Sequence, residues 1–375
     1  MFKRVLLQEI LDRCFKQKAI IILGARQVGK TTLLKMILKD HKEKALYLNC
    51  DEPQTVSSLT NCNLKELQMI IGDNKLIVID EAQKVDNIGI TLKLIVDNMP
   101  DVQVIATGSS AFELRNRLNE PLTGRKYEYQ LFPISTEEVY HTEGYLEVKK
   151  QLESRLIYGS YPDILNQGNN PRELLQMLAD SYLYKDILAS GNLRKPDLLD
   201  KLLRAISFQV GSEVSYNELA QTIASDSKTV ERYVELLEKC FVIFRLNGLS
   251  RNLRNELKKA KKIYFYDNGV RNAVIQQFAN ADIRNDMGPL WENFFISERI
   301  KFNHYRHHYC NIYFWRTKNQ QEIDYIEEVD GSYHVFEMKW NPKKTKTYIP
   351  KSFLESYPVA STTIITPENY MEYLI

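Results

Sequence analysis

The stretch Gly24-Ala25-Arg26-Gln27-Val28-Gly29-Lys30-Thr31 carries the spacing G-x-x-x-x-G-K-[ST], which is suited to gripping a chain of phosphates. Gly24 and Gly29 allow backbone conformations that a Cβ forbids, so the N–H groups of the intervening residues can turn inward on phosphate oxygens. Lys30 is placed to reach the β- and γ-phosphates, and the Thr31 hydroxyl to be a ligand of Mg²⁺. Thr32 follows in the first turn of a helix, whose unpaired N–H groups and positive dipole end strengthen the anion site. The second half of the site is an acidic pair, Asp80-Glu81, that closes an apolar run. Asp80 can hold hydrated Mg²⁺ there, and Glu81 can orient or deprotonate an attacking water. Thr107 and Ser109 end a further apolar run, expected as a strand beside the phosphate strand, and can sense the γ-phosphate, although capping the next helix is an equally good use of Ser109 or Ser110. Arg115, Arg117 and Arg125 are the arginines that could neutralise a transition state, in cis or toward a neighbouring subunit, with Arg125 the catalytic candidate. Taken together these residues predict binding of a nucleoside triphosphate and its Mg²⁺-dependent hydrolysis by in-line attack of water.

Such chemistry needs strands that end where the polar residues begin. Ala19-Ile20-Ile21-Ile22-Leu23 is a short β-branched run of a buried strand, and residues 32–39 have Leu33, Leu34, Ile37 and Leu38 at helical spacing. Further strands are expected at Ala45-Leu46-Tyr47-Leu48-Asn49, at 75–80, at 102–107 and at 125–131, with helices around 64–71, 88–99 and 111–118. Val5, Leu6, Ile10, Leu11 and Phe15 make one apolar face of a short helix before the loop. The alternation predicts an α/β fold with a parallel sheet and helices on both faces.

The loop, the run Asp80-Glu81-Ala82-Gln83, Thr107-Gly108-Ser109-Ser110, Gly124-Arg125 and Phe132-Pro133-Ile134-Ser135 together resemble the AAA+-type P-loop ATPases of bacteria and archaea. The resemblance covers residues 1–140. It implies a parallel sheet whose catalytic Glu lies next to the phosphate strand.

Residues 141–194 read as a helical connector, broken at Tyr158-Gly159-Ser160-Tyr161-Pro162, where proline forbids helix continuation. Residues 195–270 read as a winged helix, with helices at 198–210, 216–223 and 227–240 and strands at 241–246 and 261–266. Lys228, Thr229, Arg232 and Tyr233 would be exposed on the third helix. A loop with Arg251, Arg254, Lys258 and Lys259, opposed by Glu256, would form a basic wing suited to duplex DNA. Glu231, Glu235 and Glu238 on the same helix favour packing or subunit contact equally.

Residues 271–375 form a last α/β module. A helix opens at Gly288-Pro289 and carries Glu292, strands follow at 312–315 and 322–326, and Asp330-Gly331 is a hairpin turn before a strand at 333–340. Glu337 and Lys339 share a face of that strand, and the hairpin brings Asp324 near. Asp324 and Glu337 could bind a divalent metal, with Lys339 orienting water for phosphodiester hydrolysis. The arrangement resembles restriction-endonuclease-like nucleases, with Glu292 matching their helical acidic residue and Ile323 standing where many members have proline. Residues 195–345, with Tyr266-Asp267-Asn268-Gly269 and Trp291-Glu292-Asn293-Phe294, also resemble the domain of unknown function that commonly follows this ATPase type. His304, His307, His308 and Cys310 read as a solvated helix end rather than a zinc site.

At 375 residues the chain is long for one domain. Its 44% hydrophobic and 26% charged residues are ordinary for a globular protein, and a net charge of +2 selects no partner. Five scattered cysteines, with no close pair, argue for reduced thiols and a cytoplasmic setting. No apolar run reaches the roughly 18 residues that span a bilayer, and no secretion signal is expected at Met1-Phe2-Lys3-Arg4. Three roles fit this reading: a DNA-linked ATPase, an ATP-gated metal-dependent nuclease, or a regulatory ATPase that clasps a protein partner or a second copy of itself.

Overall fold

The structure, a computed structural model, describes residues 1–39, 44–109, 118, 121–166, 170–180, 196–250, 261–341, 343 and 349–375. Among these, five strands form the first sheet: β1 (Ala19–Leu23), β2 (Ala45–Asn49), β3 (Leu76–Asp80), β4 (Gln103–Gly108) and β5 (Lys126–Gln130). Their order is β2-β3-β4-β1-β5, and every pairing is parallel. Helices that cover both faces leave β1, β3 and β4 buried along their whole lengths, which is why these strands read as continuous apolar runs rather than alternating ones.

The strand order corrects one expectation. β3, which ends in Asp80, does not adjoin the phosphate strand β1; β4 lies between them, with Ile20 opposite Ile105 on one side and Val78 opposite Ile105 on the other. Thr107 on β4 therefore stands between the loop and the acid pair. A second correction concerns Phe15. The first helix is Leu6–Arg13 and buries Leu6 and Ile10, whereas Phe15 lies beyond its end, at φ 59° and exposed. The helix expected at 111–118 lies outside the described residues except for Leu118.

Beyond the first sheet come helices Thr136–Glu143, Tyr145–Tyr158, Pro162–Asn166 and Pro171–Leu178. Ser135 starts the first of these with a capping box closed by Glu138. The next three helices, Pro196–Phe208, Tyr216–Thr222 and Ser227–Lys239, lead into a second sheet. It is made of β6 (Glu213–Val214), β7 (Ile243–Gly248), β8 (Lys261–Phe265), β9 (Asn311–Arg316), β10 (Glu322–Val329), β11 (Ser332–Met338) and β12 (Val359–Ile365). The order is β12-β11-β10-β9-β7-β8-β6. The sheet thus crosses the boundary expected near 270, because β7 pairs in parallel with β9 through Asn247–Tyr313 and Gly248–Phe314. Asp330 and Gly331 both have positive φ (50° and 80°), as a tight turn between β10 and β11 requires.

The helix Met287–Tyr305 ties the two sheets together. Its Glu298 accepts the Thr136 N–H at 2.5 Å and pairs with Lys301 at 2.6 Å and Arg155 at 3.4 Å, all side chains fully or almost fully buried. A buried acid with two cations and an N–H donor is satisfied, and losing one partner would leave an uncompensated charge.

Candidate functional site

The carboxyl ends of β1, β3 and β4 open on a cleft of about 440 Å³, the usual place for ligands in an open parallel sheet. Gly24 follows β1, and a Cβ there would lie 2.3 Å from the Leu131 carbonyl oxygen, so the loop packs on the end of β5 only with glycine at this position. Gly29 has φ +97° and admits the turn into the Lys30–Lys39 helix. Arg26, Gln27, Gly29, Lys30, Thr31 and Thr32 line the cleft, facing Asp80, Glu81 and Ser109. The side chains of Ala25 and Val28 are buried in the core, which leaves these two residues only their backbone for a ligand. Lys30 is itself buried, and its Nζ donates to the carbonyls of Gly24 at 3.0 Å and Ala25 at 2.9 Å. Those carbonyls store the ammonium beside the place where a phosphate would take it.

Asp80 is the hub on the other wall. Its Oδ2 accepts the Thr31 hydroxyl at 2.9 Å and the Tyr47 hydroxyl at 2.6 Å, and its Oδ1 accepts the Thr107 hydroxyl. Burial, and then the bond to Asp80, push the Tyr47 hydroxyl pKa up, so Tyr47 stays a donor. A carboxylate joined to a threonine hydroxyl at the mouth of a phosphate loop is an oxygen donor set that fits hydrated Mg²⁺.

Glu81 occupies the left-handed region, φ 54° and ψ 41°, an unusual state for a non-glycine residue. Its N–H donates to Thr107 Oγ1 at 3.1 Å. Its Oε2 accepts from Gln83 Nε2 at 2.6 Å and from the Ser109 hydroxyl at 3.2 Å, and Gln83 also donates to Ser109 at 3.1 Å. Thr107 and Ser109 therefore act as struts for the acid pair, and the helix that Ser109 or Ser110 was expected to cap lies outside the described residues.

Gln83, Pro162 and Asp163 line the cleft and Tyr47 donates to its Asp80, and sequence reasoning selected none of the four. Tyr47 stands in the middle of β2 and carries no signal beyond its hydroxyl. Gln83 was visible in the run after Asp80-Glu81, but only the left-handed turn at Glu81 folds it back. Pro162 and Asp163 arrive from outside the first module. The corner that carries them is pinned from behind, since the Ser160 N–H donates to Asp267 Oδ2 at 2.6 Å.

Arg125 is not part of this cleft. It precedes β5 at the level of Ala19, the amino end of β1, whereas the loop follows Leu23 at the other end. The strand length between them is roughly 13 Å at about 3.3 Å per residue, and Arg125 Nε pairs with Asp97 at 2.6 Å. An action on the nucleotide of its own subunit is excluded by this position. Ser110, Arg115 and Arg117 lie outside the described residues.

The second predicted cluster does assemble. Lys339 Nζ meets Glu337 Oε2 at 3.0 Å, and Asp324 Oδ2 accepts the Met338 N–H at 3.1 Å, next to an irregularity of the β9–β10 register between Ile323 and Ile326. Glu292 approaches from the Met287–Tyr305 helix and accepts from Lys262 Nζ at 3.0 Å and Tyr264 OH at 2.6 Å. Lys262 also meets Glu322 at 2.6 Å. Burial pushes the carboxyls of Glu292 and Glu337 up to about 7, and the charge of Asp324 adds to both. Lys262 and Tyr264 had passed for strand residues in sequence, because only the joined sheet brings β8 to this helix. The histidines disperse: His304 Nε2 accepts the Gln130 N–H at 3.2 Å and His307 meets Glu9 at 2.8 Å. His308 and Cys310 lie near Glu327, whose carboxylate already accepts from Arg299, Asn303 and Tyr325.

The sheet order, the glycine-framed loop with Lys30 and Thr31, and the acid pair opposite them define the fold and cleft of a P-loop ATPase. Residues 16–140 match a family described as an AAA domain, residues 149–281 a domain of unknown function (DUF8612), and residues 287–372 another (DUF4143). The chain is similar to an uncharacterized protein of Mycobacterium tuberculosis, 23% identical over 368 residues that cover 96% of this chain and 79% of that one. An uncharacterized protein of Haemophilus influenzae is 26% identical over 280 residues, 68% of each chain. Among solved structures, the Walker-type ATPase of Pyrococcus abyssi is 18% identical, with a TM-score of 0.49 over 73% of this chain and 96% of that chain. Among the described residues no helix is long and apolar enough to cross a membrane.

Proposed function

We propose that this chain binds Mg·ATP in the cleft at the end of β1 and hydrolyses it to ADP and phosphate. The backbone of residues 24–29 cradles the phosphates, and Lys30 leaves the Gly24 and Ala25 carbonyls to pair with the β- and γ-phosphate oxygens. Mg²⁺, held by Thr31 and Asp80, would neutralise charge on the same oxygens. Glu81 holds the attacking water in line with the γ-phosphate and accepts its proton. A neighbouring cavity of about 260 Å³, walled by Met1, Phe2, Ile134 and Pro162, shares Gly29 and Thr32 with the cleft and offers an apolar seat for the base. The observation that carries the proposal is the pairing of a Thr31–Asp80–Thr107 chain with a Glu81 carboxylate held by Gln83 and Ser109. Phosphate release from ATP by the purified chain tests it: turnover should require Mg²⁺ and stop in EDTA, and release no greater than the blank would contradict it.

A second reading is favoured by the convergence of Glu292, Asp324, Glu337 and Lys339. Crowded, buried carboxyls beside a lysine suit a divalent-metal nuclease site, where the cation would displace the protons that Glu292 and Glu337 hold near neutrality. Incubation of DNA and RNA with Mg²⁺ or Mn²⁺ tests it, with cleavage expected to vanish in Asp324→Ala and Glu337→Ala. Contact with duplex DNA through residues 195–270 rests on the basic sequence of 251–259, which lies outside the described residues. A salt-dependent gel shift, abolished by loss of Arg251, Arg254, Lys258 and Lys259, is its test.

A further inference from the structure

We propose that Arg4 is a positioning residue for the phosphate loop, holding one peptide of the loop in the orientation that a phosphate needs. The assignment rests on the Mg·ATP reading above. Arg4 is 7% exposed. Its Nη1 donates to the Val28 carbonyl at 3.2 Å, its Nη2 donates to the Phe132 carbonyl at 2.6 Å, and its Nε faces Glu138 Oε1 at 3.1 Å. One guanidinium thus joins three places: the loop, the end of β5 and the capping box of the Thr136–Glu143 helix.

The consequence for the loop follows from peptide geometry. The Val28 carbonyl and the Gly29 N–H belong to one planar unit, and in a trans peptide they point in opposite directions. Among the described residues no peptide bond is cis. Holding the Val28 oxygen toward Arg4 therefore aims the Gly29 N–H away from Arg4 and toward the cleft that Gly29 lines. Gly29 can rotate more freely than any other residue type, and it sits at φ +97°. A peptide next to such a hinge needs an external anchor, and a charged donor supplies a stronger one than a neutral group. Lys30 does the same for the two carbonyls at the start of the loop, since it accepts no proton and donates to Gly24 and Ala25. The difference is that Lys30 must leave when a phosphate arrives, whereas Arg4 lies behind the loop and stays. Preformed donors of this kind reduce the ordering cost of binding.

Arg4 also lines the apolar cavity beside Phe2, so a base-side contact has to be separated from a loop-side one. The full chain with Arg4→Lys and Arg4→Ala is compared with the unaltered chain by calorimetric titration with Mg·ATP and with Mg·pyrophosphate, well below each protein's melting temperature. Arg4→Lys keeps the charge and loses the fork geometry that serves two carbonyls at once while facing the Glu138 carboxylate. The expected result is an affinity about tenfold weaker for both ligands, by the same factor, with the Arg4→Lys protein still folded. Affinities equal to those of the unaltered chain would overturn the assignment, as would a loss confined to ATP, which would place Arg4 at the base. Failure of the unaltered chain to bind either ligand would overturn the nucleotide reading itself. That outcome is distinct from normal binding by the unaltered chain with no effect of Arg4→Lys.

Discussion

Replacing Glu81 with glutamine separates holding a nucleotide from breaking it. In the structure the carboxylate is held through one oxygen, Oε2, which accepts from Gln83 at 2.6 Å and Ser109 at 3.2 Å. A glutamine amide has one acceptor oxygen and can keep both donors, leaving its NH₂ group turned to the cleft. The backbone at Glu81 is set by its bond to Thr107, which the substitution leaves alone. The fold and the phosphate cradle should therefore persist, and nucleotide affinity should change by less than about threefold, since phosphates are gripped from the opposite wall. The NH₂ group cannot accept a proton from water, so the general-base contribution is lost. That contribution is typically about 10²–10⁴-fold, or roughly 3–5 kcal/mol of barrier. Steady-state phosphate release together with calorimetric titration of Mg·ATP measures both quantities on one preparation. Wild-type turnover by Glu81→Gln would refute the role of Glu81, and loss of binding in step with turnover would show that the carboxylate supports the cradle instead.

Three further outcomes follow from particular contacts. Tyr47→Phe removes the hydroxyl that donates to Asp80 at 2.6 Å, and the Mg²⁺ concentration for half-maximal turnover should rise about tenfold, as for other outer partners of a metal ligand; an unchanged Mg²⁺ dependence would count against Asp80 as the metal-holding acid. In Gly159→Ala a Cβ would fall 1.9 Å from Asp267 Oδ1 at a residue with φ +75°, so the urea midpoint should drop by the equivalent of roughly 3 kcal/mol or more, and a midpoint like the wild type would show that the corner yields. Glu292 and Glu337 hold their protons up to about 7 in the folded chain, while an unfolded glutamate releases its proton near about 4.3. The folded state therefore binds more protons at these two groups in that window, so without added metal their contribution to stability is fully present below about 4.3 and is lost as pH rises through 7, by up to roughly 3 kcal/mol per group; the fall in unfolding free energy between about 5 and 7 should be smaller in Glu292→Gln and Glu337→Gln than in the unaltered chain, and equal slopes in all three proteins would refute the shifts.

Much of the nucleotide module was legible because its chemistry depends on local order. A β-branched run, a glycine-framed loop and an amphipathic helix stand consecutively in sequence, and the structure keeps Ala19–Leu23 and Lys30–Lys39 on either side of the loop. What depended on strand order was legible only in part. The strand at 102–107 was expected beside the phosphate strand and lies there, but nothing in it says that it inserts between β1 and β3, so the acid pair was expected next to β1 as well, and Thr107 was read as a γ-phosphate sensor rather than a strut. Arg125 failed for a similar reason. In a parallel strand the residue before the first pairing lies at the amino edge, and its distance from the cleft follows from strand direction rather than from proximity to Gly124. The carboxylate cluster was legible in three members because a turn and a two-residue alternation fix Asp324, Glu337 and Lys339 locally, while Glu292 entered only through the resemblance to nucleases. Its partners Lys262 and Tyr264 come from a strand that reaches the site only through the β7–β9 pairing. The corner at Gly159 was read as a helix break, and its second duty, holding Pro162 and Asp163 at the cleft while bonding to Asp267, is a tertiary fact.

The most direct test is a titration of the purified chain with ATP in the presence of Mg²⁺, set beside the same titration of Lys30→Ala. The unaltered chain should bind one nucleotide per cleft and the variant should lose that binding while melting at a similar temperature. Equal heats of binding in the two proteins, or none in the unaltered chain, would contradict a phosphate-gripping loop at Gly24–Thr31.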